Sequence, residues 1–403
     1  MGNVVIIGVI LLKKSSKIWN ILFTVLTYLL VAAVAVCITF VVTLRHFSGV
    51  SKMEELEALI LERFIGETDK TALEDGAAAG MIAALGDRWS YYIPANEFQA
   101  HQEQLDNAYV GVGITVGVNA QTQYIDIRRV DPAGGAMEAG IQSGDVLIDV
   151  EGQDVSKIGL EKTTELIRGE EGTSVSLTVL RGQEKKQFTV VRKKILVQVA
   201  SGQMLEDNIG YVRIVNFDAR CAQETIGVIK DLLEQGAKSL VFDVRFNPGG
   251  FQTELVALLD YLLPEGEIFR SEYYTGQQTV DKSDKRCLDV PMAVLINGES
   301  YSAAEFFAAA LNEYDKAIVV GEATTGKGYF QTTIKLQDGS AANLSVGKYF
   351  TPKGVCLADV GGLKPEVEEK VDEETAGDIY GGTLPPEKDP QIQAAVDALK
   401  KAS

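Results

Sequence analysis

From Ile18 to Leu44 the chain carries no charged residue and is almost wholly apolar. This stretch constrains the chain more than any other, because it exceeds the roughly 20 residues with which a helix crosses a bilayer. Lys13, Lys14 and Lys17 precede it. Lys and Arg gather on cytoplasmic flanks, so the expected topology is residues 1–17 inside, one transmembrane helix over 18–44, and everything after Arg45 outside a bacterial cell membrane. A cleaved signal peptide is the competing reading. Its apolar core would run to only about 7–15 residues, and no small-x-small cleavage site closes this span. Cys37 does not suit lipid attachment, since Val36 precedes it and apolar residues follow. The run Val4–Leu12 is too short to span alone.

Beyond the span, the composition is that of a globular chain: 403 residues, 23% charged and 46% hydrophobic. At roughly 100–200 residues per domain, two or three domains fit. The net charge of -18 argues against nucleic acid as a partner, because phosphate binding needs clustered cations. Histidine is scarce: His46 lies beside the span and His101 in a polar helix-like stretch. Neither has the setting of a Ser-His-Asp base, and two histidines make a histidine-built zinc site improbable. The cysteines are Cys37, Cys221, Cys287 and Cys356, with no CxxC spacing. A metal or redox motif is not expected, although an oxidising compartment leaves a Cys287–Cys356 bridge open. No cofactor is called for.

Periodicity divides the remainder. Residues 51–106 read as helices, with Met53, Leu56, Leu59 and Ile60 at helical spacing and a second run over Ala77–Leu85. They are candidates for packing or for pairing with a second copy. Residues 107–195 switch to short β-rich runs between Gly-rich turns, interrupted by one helix over Gly159–Arg168. Residues 196–370 alternate strands (Gly210–Val215, Ser239–Arg245, Ala293–Ile296, Ala317–Val320) with helices (Glu224–Gln235, Glu254–Leu263, Ser302–Asn312). That alternation predicts a layered α/β domain. Residues 371–403 form a polar tail that ends in a short helix over Pro390–Lys400.

The smaller domain opens on Tyr109-Val110-Gly111-Val112-Gly113-Ile114, a glycine-rich turn running into a strand. Ser143-Gly144-Asp145-Val146-Leu147 follows, then a helix that ends Leu166-Ile167-Arg168-Gly169. This pattern resembles a PDZ domain of the bacterial type over roughly 85 residues. Backbone N–H groups from Val110 to Ile114 can hold a terminal carboxylate, and the strand after them offers an edge to an added peptide strand. An ordinary small β-barrel with structural glycines is the plainer reading. Arg168 reads locally as a cation at a helix C-terminus.

Three segments of the larger domain carry the chemistry. A β-rich run ends at Arg245 and passes at once into Asn247-Pro248-Gly249-Gly250, which can turn sharply and expose backbone N–H groups. Asn297-Gly298-Glu299-Ser300-Tyr301-Ser302-Ala303-Ala304-Glu305 follows a strand. Alone, Ser302 and Glu305 make a capping box; a serine at a strand-to-helix junction is also a good nucleophile, with the Ala303 N–H facing a developing oxyanion. Gly321-Glu322-Ala323-Thr324-Thr325-Gly326-Lys327-Gly328 mimics a phosphate loop. It lacks the final hydroxyl, and it runs into the strand-like Tyr329–Ile334 where a phosphate loop needs a helix.

Together these segments resemble the carboxyl-terminal processing proteases, or tail-specific proteases, over about residues 51–370. The resemblance implies a mixed α/β protease core of the ClpP/crotonase-like type with an inserted PDZ domain. It also implies a Ser–Lys dyad. The family's serine falls on Ser302, its lysine on Lys327 and its supporting glutamine on Gln331; the oxyanion hole falls on Gly249, Gly250 and Ala303. The residue matching Arg168 couples peptide occupancy to the protease core. Phe246, Tyr301 and Ala304 depart from the family pattern. The expected partners are protein C-terminal tails. A catalytically silent PDZ scaffold at the membrane surface is the alternative.

Overall fold

The computed structural model describes Trp19, residues 22–41 and residues 52–402. The chain divides into two compact units, Met1–Ala84 and Leu85–Ser403. In the first, helix α1 spans Leu22–Val41 with a mean hydropathy of 2.5, long and apolar enough for a membrane anchor or a signal segment. The hydroxyls of Thr27 and Thr39 donate to Phe23 O and Ala35 O, so these two polar side chains are satisfied within the apolar helix. The flanking lysines, Val4–Leu12 and His46 lie outside the described residues. Helices α2 (Lys52–Arg63) and α3 (Lys70–Ala83) follow. Asp69 caps α3 by accepting from Thr71 N and Ala72 N.

The second unit opens with strand β1 (Tyr91–Ile93) and helix α4 (Ala95–Leu105). The helical reading of 51–106 is therefore corrected at 85–94: a turn and a three-residue strand stand there, and β1 pairs with a strand far along the chain, Tyr91 opposite Asn343. A strand that short carries no periodicity to read.

The PDZ region follows as β2 (Ala108–Gly111), β3 (Ile114–Val118), β4 (Ile125–Val130), α5 (Gly135–Ala139), β5 (Val146–Val150), β6 (Gln153–Asp154), α6 (Val155–Ile167), β7 (Ser174–Arg181), β8 (Glu184–Val191) and β9 (Lys193–Leu196). Its main sheet runs β3-β4-β5-β7-β8, leaving β3 at an edge, while β2 pairs with β9. Inward residues of alternating strands, including Ile125, Leu147, Leu177 and Val179, build its own core with Val155 of α6.

The larger region contains β10 (Ala200–Met204), β11 (Ile209–Ile214), α7 (Cys221–Glu234), β12 (Ser239–Asp243), α8 (Gln252–Leu262), β13 (Gly266–Tyr273), β14 (Gln278–Ser283), β15 (Met292–Ile296), α9 (Ala303–Glu313), β16 (Ala317–Gly321), β17 (Tyr329–Lys335), β18 (Ala341–Phe350), α10 (Leu357–Val360), β19 (Val367–Glu368), α11 (Glu373–Gly381) and α12 (Pro390–Ala402). Its main sheet runs β10-β11-β12-β15-β16-β19, parallel from β11 onward. Every residue of β12 and β15 is buried, which explains the apolar runs Leu240–Phe242 and Met292–Ile296: both faces are covered. On one face lie α7, α8 and α9, with Phe242, Phe306 and Phe307 in the core. On the other, Ile392, Ala395, Val396 and Leu399 of α12 pack on Val241, Ala293 and Leu295. A second, antiparallel sheet runs β1-β18-β13-β14, with β17 also on β18.

The polar tail expected from Val371 contains α11, capped by Asp372. All four cysteines are free, so the Cys287–Cys356 bridge is not made.

Candidate active site

Ser302 sits where β15 has ended and α9 begins, at φ +58 and ψ -125. A non-glycine residue rarely holds such a backbone, and surroundings that over-determine it are the usual reason that it persists. Those surroundings are visible. Tyr301 N donates to Asn247 O at 3.2 Å, the buried Ser300 hydroxyl donates to Val244 O at 2.7 Å, and Ser302 N donates to Glu305 Oε2 at 3.0 Å.

Glu305 does far more than half of a capping box. It is fully buried. The oxygen that accepts from Ser302 N also accepts from Lys327 N at 2.8 Å, while Oε1 accepts from Gly326 N at 2.6 Å and from the Thr324 hydroxyl at 2.5 Å. One carboxylate thus ties the serine turn to the lysine loop. Burial raises its pKa, opposed by these four donors.

The loop from Gly321 to Gly328 enters β17 rather than a helix, as the phosphate-loop mismatch requires. Its Lys327 amine lies over the Trp89 ring, 4.6 Å from the centroid, with Tyr301 behind at 5.8 Å. Burial depresses the amine to a pKa of about 8; the carboxylates of Asp87 and Glu305 pull it upward, and Arg88 pushes it down. Tyr349 joins the two segments again. Its phenol donates to Lys327 O at 2.7 Å and lies within hydrogen-bond reach of the Ser302 hydroxyl.

Ser302, Lys327, Gln331, Gly249, Gly250 and Ala303 all line one cleft of about 790 Å³. Within it, two expectations need correction. The Gly249 N–H is committed to Asn247 Oδ1 at 2.9 Å, so this glycine acts through its missing side chain: a Cβ there would stand 2.7 Å from Ser302 Cβ. Gly250 N and Ala303 N have no acceptor among the described residues, and they remain as the two candidate oxyanion donors. Gln331 bonds Tyr329 O at 3.1 Å and Ser345 Oγ at 3.0 Å through its amide nitrogen, and makes no bond to Lys327. A bulge between Phe330 and Gln331 sets its direction. His101 reaches the same cleft but stacks edge-on against Tyr91 and makes no bond to Ser302.

In the PDZ region the glycine-rich segment is less uniform than its sequence. Val110 and Gly111 pair with Lys194 and Lys193 in the β2–β9 ladder. The turn itself is Val112 and Gly113, with Val112 in the core and Gly113 at φ +81. Ile114 begins the edge strand β3. Arg168 caps α6 and lines a separate cavity of about 660 Å³ with Tyr109, Asn216 and His101, where the PDZ region meets the larger one.

Sequence alone missed Glu305 in this wider role, Tyr349, and the Asp87–Trp89 turn. Tyr349 and the turn carry no local motif, and that of Glu305 marks only a helix cap.

These features define a serine-type peptidase with an appended PDZ domain. The model of peptidase family S41 matches residues 208–369, and a PDZ domain model matches residues 127–181. The carboxy-terminal processing protease CtpA of Bacillus subtilis (strain 168) is 33% identical over 332 residues, 80% of this chain and 70% of that protein. A Staphylococcus aureus (strain COL) protein named "Probable CtpA-like serine protease" is 29% identical, covering 87% of this chain and 72% of its own length. A crystal structure described as a candidate S41 protease of Bacteroides fragilis NCTC 9343 matches with a TM-score of 0.51 at 17% identity, over 85% of this chain and 93% of that one; it supports the fold. The chain belongs to peptidase family S41.

Proposed function

We propose that this protein is a membrane-anchored, extracytoplasmic endopeptidase that cuts polypeptides near their C-termini, with Ser302 as nucleophile and Lys327 as general base. The observation that carries the reading is the shared Glu305 oxygen, which fixes Ser302 and Lys327 in one cleft while burial holds the Lys327 amine near neutrality. A neutral amine takes the Ser302 proton as Oγ attacks the peptide carbonyl. The tetrahedral oxyanion faces Gly250 N–H and Ala303 N–H, supported by the dipole of α9. Lys327 then returns the proton to the leaving amine, and water repeats the sequence on the acyl-enzyme. Gln331, held by Ser345, gives the cleft an uncharged side chain, where a carboxylate would raise the pKa of the amine.

The PDZ region supplies the tail specificity. The Val112–Gly113 turn and the open edge of β3 suit a terminal carboxylate followed by an added strand. Arg168, at the cavity between that region and the larger one, is placed to relay occupancy. The proposed domains are 18–44 as anchor, 51–106 as a helical segment that pairs with a second copy, 107–195 as PDZ domain and 196–370 as protease core. Exposed Met53, Leu56 and Leu59 on α2 favour the pairing. Ser302→Ala and Lys327→Ala should each abolish peptide cleavage with unchanged circular dichroism. Full activity in either variant overturns the assignment, whereas wild type that binds tail peptides without cutting them favours the silent scaffold.

A further inference from the structure

The candidate cleft holds one more titratable group, and the chemistry above leaves it idle. Asp218 follows the residue that bridges to Gly250, so its backbone presses on the glycine turn: a Cβ on Gly250 would stand 2.5 Å from Asp218 N. Its side chain lines the same cleft as Ser302, and the residue is only 7% exposed.

Other buried carboxylates in this protein are paired. Asp243 and Asp389 grip Arg245, Asp145 grips Arg181, and Glu305 holds backbone donors. The Asp218 carboxylate accepts no hydrogen bond among the described residues, and burial alone sets its pKa at about 7. The nearest cation in sequence, Arg220, is spent on Glu224, Asp106 O, Asn107 O and Val197 O. The titratable neighbours are Tyr91 of β1, His101 of α4 and Cys221 of α7. Glu224 and Glu254, on α7 and α8, are turned onto Val199 N and Ala222 N. None of these supplies a positive partner; burial holds His101 below its ordinary value.

A nearly buried carboxylate that meets only the open cleft, with no partner from the fold, is left for a ligand to complete. We propose that Asp218 is a specificity-determining residue of the cleft, and that it receives a Lys or Arg side chain of the polypeptide beside the bond to be cut. A cation restores both the charge and the donors that the fold withholds. The proposal rests on the protease reading and sharpens its substrate class. Because the carboxyl ionises near pH 7, preference for a basic residue should grow as the pH rises through that value.

The test uses the full-length protein in detergent and peptide pairs that differ only by Lys against norleucine, moved position by position around the cleaved bond. At pH 8, one position should favour Lys by about tenfold in kcat/KM, the size of one charge-assisted hydrogen bond. The ratio should shrink at pH 6. It should fall to near one in Asp218→Asn and survive in Asp218→Glu. Taking a ratio cancels the ionisation of Lys327 and any general loss of activity in the variants. The same pairs are titrated by fluorescence against Ser302→Ala with and without Asp218→Asn, which reads the preference without hydrolysis. Wild type that binds with this preference but never cleaves would sink the protease reading and keep the Asp218 site. Equal Lys/norleucine ratios with and without Asp218→Asn would sink the site and leave the protease reading intact.

Discussion

Glu305 Oε2 accepts the backbone N–H of Ser302 at 3.0 Å and that of Lys327 at 2.8 Å, so one buried oxygen sets the spacing of two segments that the chain keeps 25 residues apart. In Glu305→Gln, one acceptor becomes a donor, and at least one of four buried donors loses its partner. That costs about 1–3 kcal/mol of stability. We expect kcat to fall about a hundredfold with KM little changed. A purely structural role would stop there. The Glu305 charge also raises the Lys327 pKa, so the acid limb of the pH profile should move to lower pH in this variant. An unmoved limb would remove Glu305 from the positioning of the base.

The pH dependence follows from the same amine. As the proposed general base, Lys327 must be neutral to accept a proton, and its pKa is depressed to about 8. Activity on a neutral peptide should therefore be lost as the pH falls through about 8 and should rise as the pH climbs past it. Asp87 opposes the depression and Arg88 assists it. Asp87→Asn should shift the limb downward in pH and Arg88→Gln upward. Stopped assays between pH 6 and 9.5 would register both; a limb that ignores both charges would place the titrating group elsewhere.

Gly249 has φ +85, and an added Cβ would lie 2.7 Å from Ser302 Cβ and 2.8 Å from Ala303 N. Gly249→Ala should lower kcat at least a hundredfold, by displacing the serine and its neighbouring donor. Gly276, in the β13–β14 hairpin, has φ +81 with open space around it. Gly276→Ala carries a similar backbone strain, about 1–3 kcal/mol, without the collision. The two variants together separate strain from contact: equal activity in both would mean that the glycine turn does not bear on Ser302.

Arg245 is buried and bonds Asp243 at 2.6 Å, Asp389 at 2.8 Å and Gln391 at 2.8 Å. Arg245→Met leaves two buried carboxylates without their cation and should cost about 3–5 kcal/mol. Adding Asp243→Asn and Asp389→Asn should recover part of that loss in calorimetry. A single variant as stable as wild type would show the pair to be dispensable.

The reach of the sequence tracks the range of the interaction. The strands β12, β15 and β16 were legible because burial on both faces writes an unbroken apolar run. Ser302 and Lys327 stood out because each lies in a short recognisable segment. Glu305 was legible only as a local cap, since its other bonds reach Thr324, Gly326 and Lys327. Tyr349 and Trp89 had no local signature; each matters through a partner far along the chain. The predicted role of Gln331 assumed a bond to Lys327, but the Phe330–Gln331 bulge and Ser345 hold the amide elsewhere. Apart from the strand-like Tyr329–Ile334 of β17, the second sheet escaped because half-exposed strands such as β14 mix polar and apolar residues without strict alternation.

Asp389 follows Arg245 by 144 positions, yet it completes the ion cluster directly behind the Asn247–Gly250 turn. In a chain synthesised from its N-terminus, the serine, the lysine and the glycine turn all emerge before the residue that braces them. Until α12 arrives, the buried guanidinium lacks its second carboxylate, and one face of the main sheet is bare. Completion of the braced core therefore waits for a segment that follows the serine, the lysine and the glycine turn in the chain.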